Sequence, residues 1–242
     1  MHIMHEENKN HIKKVFSGLT TQKAIIIAGA LIAISILVSQ IFFNRSSALT
    51  DATNRIAEES GGAKLLYEVD DKEDFIRGAK RPKVTIVEFS DFGCGFCASF
   101  HPTLRDIVEK YPDDVAWVYR HLPYRNNEAA LASECVGQRL GDEAFWQYSD
   151  ALFAEFPDIT NDILVQEALK LGFSSEEDFW ECQGSEEVAK AVQENAAEAR
   201  LIGANGTPHS IVITSDGETF PLRGATPFAQ VDQIVSVLIG KK

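Results

Sequence analysis

Basic residues are scarce in this sequence. Its 242 residues hold 23 Lys and Arg against 36 Asp and Glu, a formal net charge of −13. Four of the basic and two of the acidic residues fall within 1–43, so the imbalance is steeper in the rest of the chain. Binding to a phosphate backbone needs clustered Lys and Arg, and this acidic balance disfavours nucleic acid as a partner. A well-solvated acidic surface is the simpler consequence. Cysteine is limited to Cys94, Cys97, Cys135 and Cys182. An even number is compatible with an oxidising compartment. Also missing is a second closely spaced Cys or His pair, which structural zinc would need beside Cys94 and Cys97. His101 lies four residues past Cys97 and His209 lies far along the chain, so no metal site is expected.

Long apolar runs are confined to one place. Residues 24–43 read AIIIAGALIAISILVSQIFF, twenty residues without a formal charge. At about 1.5 Å per helical residue this is enough to cross a hydrocarbon core of about 30 Å. Lys9, Lys13, Lys14 and Lys23 precede the run and Arg45 follows it. The positive-inside bias then gives a cytoplasmic tail at 1–23, a transmembrane anchor at 24–43 and an extracytoplasmic remainder. A cleaved signal peptide is the alternative, although its apolar region usually spans only about 7–15 residues. His2, His5 and His11 sit on the polar tail without a packed framework to fix metal geometry. Residues 44–62 are polar, rich in small residues and end in Gly61 and Gly62, as a tether would be.

The folded domain is expected over 63–242. Leu65–Val69 reads as a short strand and Lys72–Gly78 as a short helix or turn. Val84, Ile86, Val87 and Phe89 form the near-continuous apolar run of a buried central strand, interrupted by Glu88. A helix follows from about Cys94 to Lys110, with Pro102 inside it, and then a strand at Val115–His121, which ends near Arg120. Between about 126 and 203 the pattern is a run of helices without internal repeat. Their stop signals include Gly141, Gly172 and Gly203, with a cap at Thr160 and a capping box at Ser174 and Glu177. A hairpin then spans His209–Leu222, and a last helix follows Thr226 and Pro227. The tryptophans, Trp117, Trp146 and Trp180, read most simply as core.

The chemistry sits at Asp91–Cys97, where the apolar strand gives way to a helix. A Cys-x-x-Cys at that junction puts Cys94 at a helix N-terminus, where backbone N–H groups and the macrodipole favour a thiolate. Cys94 is therefore the expected exposed nucleophile, and Cys97, one turn further in, the more buried thiol that resolves a mixed disulfide. Glu88, six residues before Cys94 in an apolar strand, would be poorly solvated, with a raised pKa suited to proton transfer. Phe92 and Phe96 flank the nucleophile and read as an apolar platform for unfolded segments. Four cysteines allow three pairings; if Cys94 pairs with Cys97, then Cys135 pairs with Cys182 or neither is bonded. A bridge between these two would contribute about 4 kcal/mol on chain-entropy grounds.

The segment IVEFSDFGCGFC, the helical block and the Gly206, Thr207, Pro208 triplet before a strand together resemble the DsbA-type thiol–disulfide oxidoreductase family. The resemblance covers about residues 65–240. It implies a thioredoxin fold, an α/β arrangement of a central mixed sheet flanked by helices, with a helical domain inserted. It also implies a proton-transfer role for Glu88 and a cis Thr207–Pro208 bond beside the cysteine pair, where Thr207 would pair with an extended substrate chain. Some relatives carry cysteine near Cys135 and Cys182. Family members often have Pro or His between the cysteines, and this chain has Gly95 and Phe96, which implies a less extreme Cys94 thiolate. His209 departs from the apolar or hydroxyl residue usual after the proline.

The expected function is a membrane-anchored, single-pass protein that introduces or exchanges disulfides in reduced or unfolded secreted proteins through Cys94 and Cys97. It needs no soluble cofactor. A membrane redox partner, quinone-linked as the resemblance implies, would reoxidise the pair. The alternatives are a reductase or isomerase of the same fold, the latter weakened by the lack of a dimerisation module, and a non-catalytic tethered chaperone.

Overall fold

The computed structural model of the chain describes Gln40, Leu65 and residues 68–240. The expected tail at 1–23, anchor at 24–43 and linker at 44–62 lie outside the described residues, Gln40 apart. Among the described residues, no helix is long and apolar enough to cross a membrane.

Among the described residues the sheet has five strands: β1 (Phe75–Gly78), β2 (Val84–Ser90), β3 (Val115–His121), β4 (His209–Thr214) and β5 (Thr219–Arg223). Their spatial order is β1-β3-β2-β4-β5. β2 and β3 run parallel, and the other three pairings are antiparallel. The mixed sheet follows from the connections: α1 (Gly95–Lys110) carries the chain back from β2 to a parallel β3, while the β4–β5 hairpin needs only a tight turn. Five helices lie between β3 and β4: α2 (Asn127–Leu140), α3 (Asp142–Ala154), α4 (Asn161–Leu171), α5 (Glu176–Gln183) and α6 (Glu186–Leu201). α7 (Phe228–Gly240) closes the described fold.

Period-two alternation splits β2 between two cores. Val84 and Ile86 join the larger one with α1, α2, α3 and α7, whereas Val87 and Phe89 join a smaller one under Ala196 and Ala199 of α6. Because both faces are covered, β2 and β3 are apolar almost throughout, as a central strand pair must be. Glu88 and Ser90 therefore face the larger core, in register with Tyr119 and His121 of β3.

The first strand is not where the sequence pattern puts it. Leu65 and residues 68–70 have no regular structure, and the edge strand is Phe75–Gly78, inside the stretch expected to be a helix or turn. The deciding contacts are tertiary. Phe75 stacks on Phe145 at 3.9 Å between ring centroids, and its ring occupies the space that a side chain at Gly137 would fill, 2.2 Å from an ideal Cβ there. Asn126, Thr160, Ser175 and Ser185 each accept a backbone N–H at a helix start. The capping residue of α5 is thus Ser175, one position after the expected Ser174, whose hydroxyl instead bonds Asp178.

Candidate active site

β2 leaves the sheet at Ser90, and Asp91 then organises the loop. Its Oδ1 accepts the N–H of Gly93 at 2.8 Å and of Asn126 at 3.3 Å; its Oδ2 accepts those of Tyr124 at 3.0 Å and Arg125 at 2.8 Å. One buried carboxylate thereby clamps the cysteine loop to the β3–α2 connection. Gly93 allows the close approach, since a Cβ there would lie 2.7 Å from that of Arg125. In the sequence Asp91 only marks the start of the cysteine stretch, with no role of its own. The available signal is an acidic residue directly after a buried strand, with no Lys or Arg nearby to pair with it.

Cys94 occupies the cap position of α1 and Cys97 its first turn, and both are free thiols. Cys94 is not openly exposed as the sequence suggests: 8% of its surface is accessible, against none for Cys97. The order of access holds, and the nucleophile lies against Thr207. The Cys94 thiol donates to the Thr207 carbonyl at 3.3 Å, and the Thr207–Pro208 peptide is cis. The two sulfurs have opposite electrostatics. Burial works against a thiolate at Cys94, but hydrogen bonding by the Thr207 side chain, by Cys97 and by the Phe96 N–H outweighs it and holds the thiol below its ordinary pKa. Burial pushes the Cys97 thiol well up, and the negative charge of Glu88 pushes it further.

Glu88 lies beneath this pair, 1% exposed. Ser90 donates its hydroxyl to Oε1 at 2.8 Å, and Trp117 donates its indole N–H to Oε2 at 3.1 Å. Burial raises the carboxyl to about 7 against the pull of those two bonds, so it can gain or lose a proton near neutrality.

Phe96 is 70% exposed beside Cys94. Phe92, expected to share an exposed apolar platform with it, is instead completely buried, packed on Tyr119 at 5.4 Å and Phe153 at 4.7 Å between ring centroids. The cause is the turn at Asp91 and Gly93, which directs residue 92 inward. Beside Pro208 a shallow cleft of about 290 Å³ is lined by Asn205, Gly206, Thr207, His209 and Arg223. His209 is held below its ordinary pKa by burial and by the Arg223 charge.

Arg120 belongs to the opposite face of the sheet. It is buried in a cluster with Asp74 at 2.8 Å and Glu198 at 2.6 Å, away from the cysteine pair. His101 is likewise occupied, bonding Asp150 at 2.6 Å and packing against Trp117. Among the described residues, no cluster of His, Cys, Asp and Glu could hold a metal ion. Cys135 of α2 and Cys182 of α5 are joined in a disulfide.

Comparisons with known proteins agree with this geometry. A thioredoxin family model matches residues 70–223, and the chain belongs to that family. A periplasmic thioredoxin-like protein from Salmonella enterica serovar Typhimurium is 29% identical and superposes with a TM-score of 0.58, covering 71% of this chain and 93% of its own. DsbA2 of Pseudomonas aeruginosa, 23% identical with a TM-score of 0.56, shares the fold over 71% of this chain and 97% of its own. An Na(+)/H(+) antiporter NhaA from Herminiimonas arsenicoxydans is 30% identical over 181 residues, 72% of this chain and 28% of the antiporter. The chain spans less than a third of the length of the curated relatives it matches.

Proposed function

We propose that this member of the thioredoxin family is a DsbA-like thiol–disulfide oxidoreductase that introduces or exchanges disulfides in extracytoplasmic proteins. The observation that carries the reading is the asymmetry of the pair: a Cys94 thiol lowered and partly accessible, a Cys97 thiol raised and sealed, with a carboxyl titrating at about 7 beneath them. Such a pair suits a two-step exchange. In the oxidising direction, a substrate thiolate attacks the Cys94 sulfur of the Cys94–Cys97 disulfide, and Cys97 leaves and takes up a proton. A second substrate thiol then attacks the mixed disulfide, which releases Cys94 as the stabilised thiolate and leaves the substrate oxidised. In the reverse direction Cys94 attacks and Cys97 resolves, passing its proton to Glu88.

Thr207 and Pro208 form the edge against which an extended substrate segment lies, and Phe96 offers apolar contact beside it. Phe92 has a packing role in this reading. The reaction uses the cysteine pair alone, and another protein, membrane-bound and quinone-linked, returns the pair to the disulfide. The apolar run at 24–43 and the basic residues before it support a single-pass anchor with the domain on the extracytoplasmic side. The description of the Salmonella relative as periplasmic is consistent with that side.

The test is a glutathione titration of the Cys94–Cys97 pair combined with single cysteine variants. A reduction potential of about −120 mV supports an oxidant, and one of about −270 mV a reductant. Cys94→Ser should stop exchange with a reduced test protein, and Cys97→Ser should accumulate mixed disulfides on Cys94. Full activity in Cys94→Ser would leave only a non-catalytic role.

A further inference from the structure

The cleft beside Pro208 is tied to the nucleophile through hydrogen-bonded backbone. The Cys94 thiol donates to the Thr207 carbonyl at 3.3 Å, and the next carbonyl along, that of Pro208, accepts the Gly224 N–H at 3.1 Å. Gly224 follows Arg223, the last residue of β5, which is in register with His209 of β4. Arg223 therefore stands one strand over from the residue after Pro208, and it lines the same cleft as Thr207 and Pro208.

The charge of this cleft runs against that of the chain. The sequence holds 36 Asp and Glu against 23 Lys and Arg, yet no acidic residue is among those lining the cleft. Arg223 is exposed, and among the described residues it takes part in no salt bridge. His209, held below its ordinary pKa by burial and by the Arg223 charge, is neutral at pH 7 and adds no second cation. Asn205 brings amide N–H donors to the lining. A Cβ at Gly206 or Gly224 would meet no atom within 4 Å, so the cleft has room for an incoming chain.

We propose that Arg223 determines substrate specificity, selecting segments that carry an Asp or Glu side chain within two residues of the reacting cysteine. The inference rests on the thiol–disulfide reading above and names the kind of substrate which that site prefers. A substrate sulfur attacking Cys94 is held beside Thr207. An extended chain advances about 3.3 Å per residue, so side chains one or two positions away fall within about 7 Å of that sulfur and reach the cleft. The guanidinium fork can take a carboxylate through two parallel N–H···O bonds, whereas an uncharged amide gains less and an ammonium group is repelled. Because the surrounding surface is acidic, this discrimination arises at the cleft rather than from steering by the whole chain.

The experiment mixes the full chain, with Cys94 and Cys97 oxidised, with an excess of reduced dicysteine peptides at pH 7. Loss of the Cys94–Cys97 disulfide is followed by acid quench and mass spectrometry. The peptides differ only in Glu, Gln or Lys at each of the two positions on either side of the first cysteine. A neighbouring charge also shifts the peptide thiol, so the quantity read is the rate with the unmodified chain divided by the rate with Arg223→Gln for the same peptide. At one or more positions this ratio should be at least about threefold larger for Glu than for Gln, the size an accessible ion pair supports, and smallest for Lys. Arg223→Lys, which keeps the charge and loses the fork, should give a Glu preference between those of the unmodified chain and Arg223→Gln. Arg81→Gln removes an exposed charge before the other end of β2 and should leave the Glu preference within about 1.5-fold of the unmodified value. Equal ratios for Glu, Gln and Lys at every position would overturn the proposal. So would an Arg81→Gln effect as large as that of Arg223→Gln, or a Glu preference that survives Arg223→Gln and disappears in Arg125→Gln. Failure of the unmodified chain to oxidise any peptide would overturn the oxidoreductase reading as well, whereas oxidation without regard to the neighbouring residue overturns the role of Arg223 alone.

Discussion

Trp117 donates its indole N–H to Oε2 of Glu88 at 3.1 Å, from the strand next to that of the carboxyl and within the larger core. The bond gives an otherwise costly buried carboxyl a fixed orientation, and its energetic consequence can be measured through pH.

Glu88 is raised from 4.5 to about 7 by burial. An acid whose folded pKa is raised favours the folded state most when protonated, so its contribution is full below about 4.5 and is lost as pH rises through about 7. The loss corresponds to roughly 3 kcal/mol at 1.36 kcal/mol per unit. Glu88→Gln should therefore match the unmodified protein in stability near pH 4 and exceed it by an amount that grows up to about pH 7 and then levels off. Urea unfolding of both proteins at several pH values measures this; a constant difference across the range would disprove it.

Asp91 accepts four backbone N–H groups from two loops. Asp91→Ala should cost at least about 2–3 kcal/mol, because donors near the core lose an ionised acceptor. It should also lower the reactivity of Cys94, whose loop loses its tie to residues 124–126. Denaturant midpoints and the alkylation rate of Cys94 test the two effects, and an unfolding curve like that of the unmodified protein would contradict the clamp.

Arg120 stands between Asp74 and Glu198, all three side chains nearly inaccessible. Arg120→Met should destabilise by about 3–5 kcal/mol, since two buried carboxylates lose the cation they share. Adding Asp74→Leu and Glu198→Leu should recover most of that loss, because the desolvation cost goes with the charges. Failure of the triple variant to regain stability would mean that the cluster is needed for packing rather than charge balance.

The disulfide between Cys135 and Cys182 encloses a loop with a sequence separation of 47. Replacing both cysteines with Ala should cost about 4 kcal/mol, chiefly through greater freedom of the unfolded chain. Exchange chemistry at Cys94 should persist at temperatures well below the new midpoint. Thermal unfolding together with an exchange assay checks both; loss of exchange in a folded double variant would tie the bridge to the active site.

Much of this protein is determined locally. The apolar run from Val84 to Phe89, the helix pattern behind Cys94 and the stops at Gly141 and Gly172 fix strand and helix by periodicity and capping, and the cysteine spacing fixes the chemistry. Glu88 was legible because a carboxyl inside an apolar strand has no solvent to turn to. What tertiary structure decided is where side chains end up once elements meet. Phe75 makes a strand at 75–78 because Phe145 and Gly137, from distant helices, receive its ring. Phe92 turns inward because Asp91 gathers N–H groups from a loop more than thirty residues away. Arg120 points to Asp74 and Glu198, which no spacing links to it. Backbone preference and hydrophobic period act over a few residues, whereas burial, ring packing and the satisfaction of buried charge depend on partners that only the folded chain brings together.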